Sequence, residues 1–160
     1  MTTATPGIWT TIATERRRLA DELETFTDAQ WETPTTCAGW TVHDVAAHLV
    51  MPFEISTPRF VLGMIKRRGD FDRAIVDLTE RVKNNSSRAE IIATLRSNAE
   101  SQWTPPKAGP EAPLGEVVVH GQDIRRALNL PHNIPQETID LTINGMQDPE
   151  LRANYADRIG

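Results

Sequence analysis

The chain has 160 residues, 39% of them hydrophobic, and carries a formal charge of −5 from 17 Lys+Arg against 22 Asp+Glu. That length suits one domain with a core large enough to fold without staples, and the acidic balance argues against a general nucleic-acid binder. No apolar run approaches the roughly 20 residues needed to cross a bilayer, and the single cysteine, Cys37, excludes an internal disulfide and any multi-cysteine zinc site.

Near the N-terminus the charged cluster Arg16-Arg17-Arg18 follows the apolar residues, the reverse of a signal peptide, so a cytoplasmic location is expected. Residues 7 to 26 set Ile8, Ile12, Leu19, Leu23 and Phe26 at helical spacing and predict an amphipathic helix. Residues 27 to 40, with Pro34, Gly39 and several threonines, read as an ordered loop holding Trp31 and Trp40. A second helix is expected from Thr41, whose hydroxyl can cap the first-turn amides while Asp44 favours the same positive end. Pro52 should kink or end it.

Residues 55 to 82 read as further helix, interrupted near Pro58 and again at Gly69-Asp70. Asn84 to Ser87 is a break. After it Ile92, Leu95, Ala99 and Trp103 repeat on one face of a third long helix, followed by the Pro-rich connection TPPKAGPEAP. A last major helix is predicted from about Leu114 to Leu128, stopped by Pro131 and Pro135, and the tail suggests one short helix over ETIDLTINGM. The main rival is a strand over Glu116 to His120, where three valines stand in a row. The sum is an all-α domain, most economically a four-helix bundle with long crossover connections.

Four histidines are available for chemistry: His43, His48, His120 and His132. Glu116 and His120 are four apart, about 40° around a helix, so one helix can offer a carboxylate oxygen and an imidazole nitrogen to a metal ion. Asp123 continues that stripe and could orient His120 from behind. A ligand from another helix would complete a three-ligand site with an open position. The same spacing is also common on solvated helix faces.

His43 and His48 are five apart, about 140° around the axis, so one ion cannot collect both from a regular helix. They flank the Val42, Val45, Ala46 and Leu49 stripe symmetrically, and helix phase does not choose between them. His132, in a turn beside Pro131, reads as surface. Cys37 precedes a helix N-terminus and could pair with His43 or His48 as a nucleophile, although a small apolar residue packed under the tryptophan loop explains it more simply. Arg125 and Arg126, one turn beyond His120, are candidates to receive a ligand carboxylate, though such a pair is ordinary near a helix C-terminus.

The run from Trp31 to Leu49, with Pro34, Cys37, Gly39-Trp40-Thr41, His43, Asp44 and His48, resembles the first signature of the mycothiol-dependent maleylpyruvate isomerase-like proteins, members of the DinB/YfiT-like superfamily. Glu116-Val-Val-Val-His120-Gly121-Gln122-Asp123 resembles their second. The resemblance spans roughly residues 7 to 130. It implies a DinB/YfiT-like bundle over residues 1–135 that holds one divalent metal, zinc by expectation, with ligands falling on His48, Glu116 and His120.

It further implies activation of a low-molecular-weight thiol such as mycothiol for attack on a small electrophilic substrate, a transferase or isomerase type of reaction. His43 and Asp123 are candidates to relay protons in such a mechanism, a role that the sequence does not fix for either. Two departures stand out. Residues 136–160 form only a tail or short helix where the isomerase carries a second domain, so maleylpyruvate isomerisation itself is not expected and exposed apolar area there would favour a homodimer. Gln122 replaces a frequent aromatic residue and should make the pocket wall more polar. The alternatives are a non-catalytic metal-binding bundle used for interaction or sensing and, behind it, metal-free catalysis by Cys37.

Overall fold

The computed structural model describes residues 7–159; residues 1–6 of the expected bundle span and Gly160 of the expected tail lie outside the described residues. Every regular element in that range is a helix: α1 (Ile8–Glu24), α2 (Asp28–Trp31), α3 (Val42–Glu54), α4 (Thr57–Lys66), α5 (Phe71–Asn85), α6 (Arg88–Ser97), α7 (Glu111–Ala127), α8 (Gln136–Asn144) and α9 (Pro149–Ile159). The valine-rich stretch that rivalled a helix lies inside α7. No helix among the described residues is long and apolar enough to cross a membrane.

Four helices close a ring in the order α1, α6, α3, α7, so that α1 lies diagonal to α3 and α6 to α7. The loop between α1 and α3 and the Pro-rich segment between α6 and α7 must therefore cross the bundle, which makes the fold a four-helix bundle with long crossovers. The α4–α5 pair packs against α3 through α5, and α8 and α9 lie against α7. Ile12, Leu19, Val45, Val50, Ile91, Leu95, Leu114 and Val118 are almost wholly buried at the centre; each contributes on the order of 1.5–3 kcal/mol by leaving water.

Local chemistry explains the boundaries, including those that differ from expectation. Thr41 and Asp44 form a reciprocal capping box at the start of α3, and Ser87 with Glu90 does the same for α6. A third box, Thr27 with Gln30, creates α2 within the segment read as loop. Pro58 stands in the first turn of α4 and Pro113 in that of α7, where a missing N–H has no helical partner to lose, so both helices start around a proline rather than after it.

The third long helix ends at Ser97, short of Trp103, which is exposed. Arg16 of α1 supplies the reason: its Nη1 donates to the carbonyls of Asn98, Ala99 and Ser101 at 3.1, 3.2 and 2.8 Å. A buried guanidinium thus binds the chain just past the helix end and holds it out of the helical path. The tail holds two helices, not one. The second, α9, ends on Ile159, which is buried among the core residues.

Candidate metal centre

The site forms where α3 faces α7. His48 comes from the middle of α3; Glu116 and His120, one turn apart, come from α7. Nε2 of His48 lies 2.9 Å from Glu116 Oε2, and Nε2 of His120 lies 3.3 Å from the same oxygen. One donor atom from each of the three falls within 4.8 Å of the other two. Ligands about 2.0–2.1 Å from a tetrahedral ion stand roughly 3.3 Å apart, so these separations suit a small divalent cation. The donor set, two imidazoles and one carboxylate, is the chemistry such an ion takes. These residues could hold a metal ion. The Glu116 side chain is 43% exposed, which leaves the cluster open on one side.

A second layer surrounds His120. Its Nδ1 lies 3.2 Å from Asp123 Oδ2; a carboxylate cannot donate, so the ring N–H does. Asp123 is 1% exposed and also accepts from Thr36 Oγ1 at 2.7 Å, from the Cys37 thiol at 3.2 Å and from the Arg158 guanidinium. The loop before α3 delivers Thr36 and Cys37. Gly39 turns it with a φ of 80°, in the left-handed region that glycine enters freely, and Thr35 N–H bonds Trp40 O at 2.8 Å. The Trp40 ring stands 5.0 Å from that of His48, and Thr79 Oγ1 is 3.5 Å from His48 Nδ1.

The electrostatics follow from this crowding. Burial works to raise the pKa of Glu116, but hydrogen bonds from His120 and His48 overcome it and hold the carboxyl well below the usual range. Asp123 is held low in the same way: burial opposes, and the hydrogen bonds of His120, Arg158, Thr36 and Cys37 prevail. Burial disfavours the charged His120 ring, yet Asp123, Cys37 and Glu116 raise its pKa well above the ordinary histidine value. Tyr155, on α9, is pushed up to about 12 by burial and then by the charge of Glu116.

The expected residues divide sharply. His48, Glu116, His120 and Asp123 come together. His43 does not: its ring lies edge-on to Trp31, 5.3 Å between centroids, and Nδ1 is 3.7 Å from Glu32. The expected relay role of His43 has no geometry at this cluster. Arg125 is fully buried and bound to Glu22 of α1, Nε to Oε2 2.9 Å, so it is not open to a ligand carboxylate; Arg126 Nη1 lies 3.4 Å from Asp157 O. Gln122 is also fully buried and donates to His132 O at 2.7 Å, so it forms no pocket wall. His132 is exposed. Cys37 faces His120, Sγ to Nδ1 3.7 Å, rather than His43 or His48. Cys37, His120 and Asp123 make a second group with metal-ligand types, but Arg158 already lies against both Cys37 and Asp123. Arg158 and Tyr155 escaped sequence reasoning because no motif or spacing ties α9 to α7.

His43 has a different consequence. Its Nε2 is buried without a hydrogen-bond partner among the described residues. Burial first, then the charges of Lys83 and Arg88, lower its pKa against the weaker opposing pull of Glu32. A depressed folded pKa contributes stability that is complete above the unfolded value of about 6.5 and is lost as the pH falls through the folded one. Urea unfolding at about pH 7.5 and about pH 5 should therefore show a larger loss for the native chain than for His43→Leu. Equal losses would remove the argument.

A family model described as the mycothiol maleylpyruvate isomerase N-terminal domain matches residues 12–102, more than half of the chain. The matched span includes Cys37, His43 and His48 and ends before α7. No curated protein and no solved structure matches the chain.

Proposed function

From the premise that the chain belongs to the mycothiol maleylpyruvate isomerase N-terminal domain family, we propose that it is a metal-dependent thiol-transfer or isomerase-like protein. Its ligands would be His48, Glu116 and His120, its preferred cation zinc, and its cosubstrate a low-molecular-weight thiol such as mycothiol. The observation that carries this reading is the convergence of two imidazole Nε2 atoms, from separate helices, on one oxygen of Glu116.

A divalent cation at that point supplies a Lewis acid that lowers the pKa of a thiol, and the thiolate is the competent nucleophile. The chain's own residues do the rest. Asp123 takes the Nδ1 hydrogen of His120 and so leaves Nε2 as the nitrogen available to a cation. The open side at Glu116 admits the thiol and the electrophile, with the Trp40 indole beside His48 as an apolar wall. Glu116 and Asp123 together carry one more charge than Arg158 neutralises, so a dication turns the site net positive and suited to an anionic sulfur.

The test uses cobalt(II) as a spectroscopic substitute for zinc. The protein should take up one equivalent, and mycothiol added to it should produce a thiolate-to-cobalt charge-transfer band that S-methylated mycothiol does not. Transfer of mycothiol to a model electrophile should stop with chelator. Uptake of cobalt without a thiol band would favour a non-catalytic metal-binding bundle, and transfer that survives chelation would transfer the chemistry to Cys37; either overturns the proposal.

A further inference from the structure

The last helix reaches the site at two points. On α7, Gly115 has no room for a side chain: a Cβ there would stand 2.8 Å from Tyr155 Cε2 and 3.0 Å from Met146 Cε. A glycine inside a helix costs about 1 kcal/mol relative to alanine, and here the missing methyl makes the notch that seats α9. One turn further along α9, the Arg158 guanidinium stacks over the Tyr155 ring, 5.6 Å from its centroid. It spans both oxygens of Asp123: Nη2 contacts Oδ2, and Nε lies 3.3 Å from Oδ1. The same Asp123 Oδ2 receives the Nδ1 hydrogen of His120 at 3.2 Å. Arg158 is mostly withdrawn from solvent, its side chain 27% exposed, and Nη2 also lies 3.5 Å from Cys37 Sγ.

A carboxylate gripped on both oxygens by a planar fork cannot rotate freely, so its acceptor direction is set. That direction decides which way the His120 ring faces and which nitrogen keeps the hydrogen. We propose that α9 is a positioning clamp, in which Arg158, seated by the Tyr155–Gly115 contact, fixes Asp123 and through it holds His120 in its cation-binding orientation. Arg158 is thus a positioning residue and touches no reacting atom. The inference rests on the reading that His48, Glu116 and His120 hold the metal.

Removing an outer partner of a metal-bound histidine costs about 10- to 100-fold in affinity. Arg158 stands one contact further out, behind Asp123, so cobalt(II) titration of the full chain should show a smaller loss in Arg158→Gln, up to about 10-fold, with the ligand-field bands shifted. Arg158→Lys, which restores the charge but not the fork, should fall between the two. Gly115→Ala leaves every polar group in place and should weaken cobalt binding in the same direction by displacing Tyr155. Urea midpoints measured alongside separate positioning from folding: a variant that loses stability yet binds cobalt as tightly as the native chain overturns the clamp. Native-level affinity in both Arg158→Gln and Gly115→Ala overturns it as well, while leaving the metal site intact. If the native chain itself takes up no cobalt, the reading beneath the clamp fails and the clamp with it.

Discussion

Alanine at His48 or at His120 is expected to weaken cobalt or zinc binding by more than about 100-fold, because loss of an outer partner alone already costs about 10- to 100-fold. Each substitution deletes one of three donors, and no other imidazole is placed to replace it: His43 turns to Trp31, and His132 lies exposed in the α7–α8 connection. Glu116→Gln keeps the size of the side chain but removes the charge on which both rings converge, and it should also bind cobalt more weakly. His132→Ala is the matched control and should bind as the native chain does. Metal content after dialysis and competitive titration with a chelator measure all four. Full retention in both His48→Ala and His120→Ala would remove the proposed centre.

Arg125→Ala should cost about 3–5 kcal/mol of stability, the usual result of stripping one partner from a buried ion pair. Arg125 is wholly buried, with Nε donating to Glu22 at 2.9 Å, Nη1 to Gln122 at 3.2 Å, and Nη2 standing 3.9 Å from Glu15 Oε2. Neither Arg125 Nη2 nor Glu15 Oε2 has a hydrogen-bond partner among the described residues. Burial depresses the Arg125 pKa, against the support of Glu22. Taking the guanidinium away leaves Glu15, 4% exposed, as a buried carboxylate with only Arg18, 4.0 Å from its other oxygen, beside a cavity.

The double variant Arg125→Met with Glu15→Leu removes both charges and refills the space. It should be markedly more stable than Arg125→Ala, because desolvation of an unpaired ion is the larger part of the loss. Urea midpoints near neutral pH decide it. A cost below about 1 kcal/mol for Arg125→Ala would place the pair with exposed salt bridges instead.

What the chain determines by itself is what neighbours along it can settle. Thr41 and Asp44, or Ser87 and Glu90, meet within one turn, so the starts of α3 and α6 were legible. The helical period placed the cores of α1, α3 and α7, and a spacing of four already put Glu116 and His120 on one face. The motif around His48 carried the family and with it the bundle. Capping and side-chain pairing along a helix act over three or four residues, and a sequence displays them directly.

Packing decided everything that separates by more than a turn. Phase left His43 and His48 equivalent, and only the approach of α3 to α7 brings His48 to Glu116, 68 positions away, while His43 meets Trp31. Arg125 looked like a ligand receptor and instead answers carboxylates of α1. Arg16 ends α6 from 82 residues off, and Arg158 reaches Asp123 from a helix that no local signal joins to α7. Such contacts depend on how helices are arranged around a shared core, and that arrangement is set by burial summed over the whole chain rather than by any spacing within it.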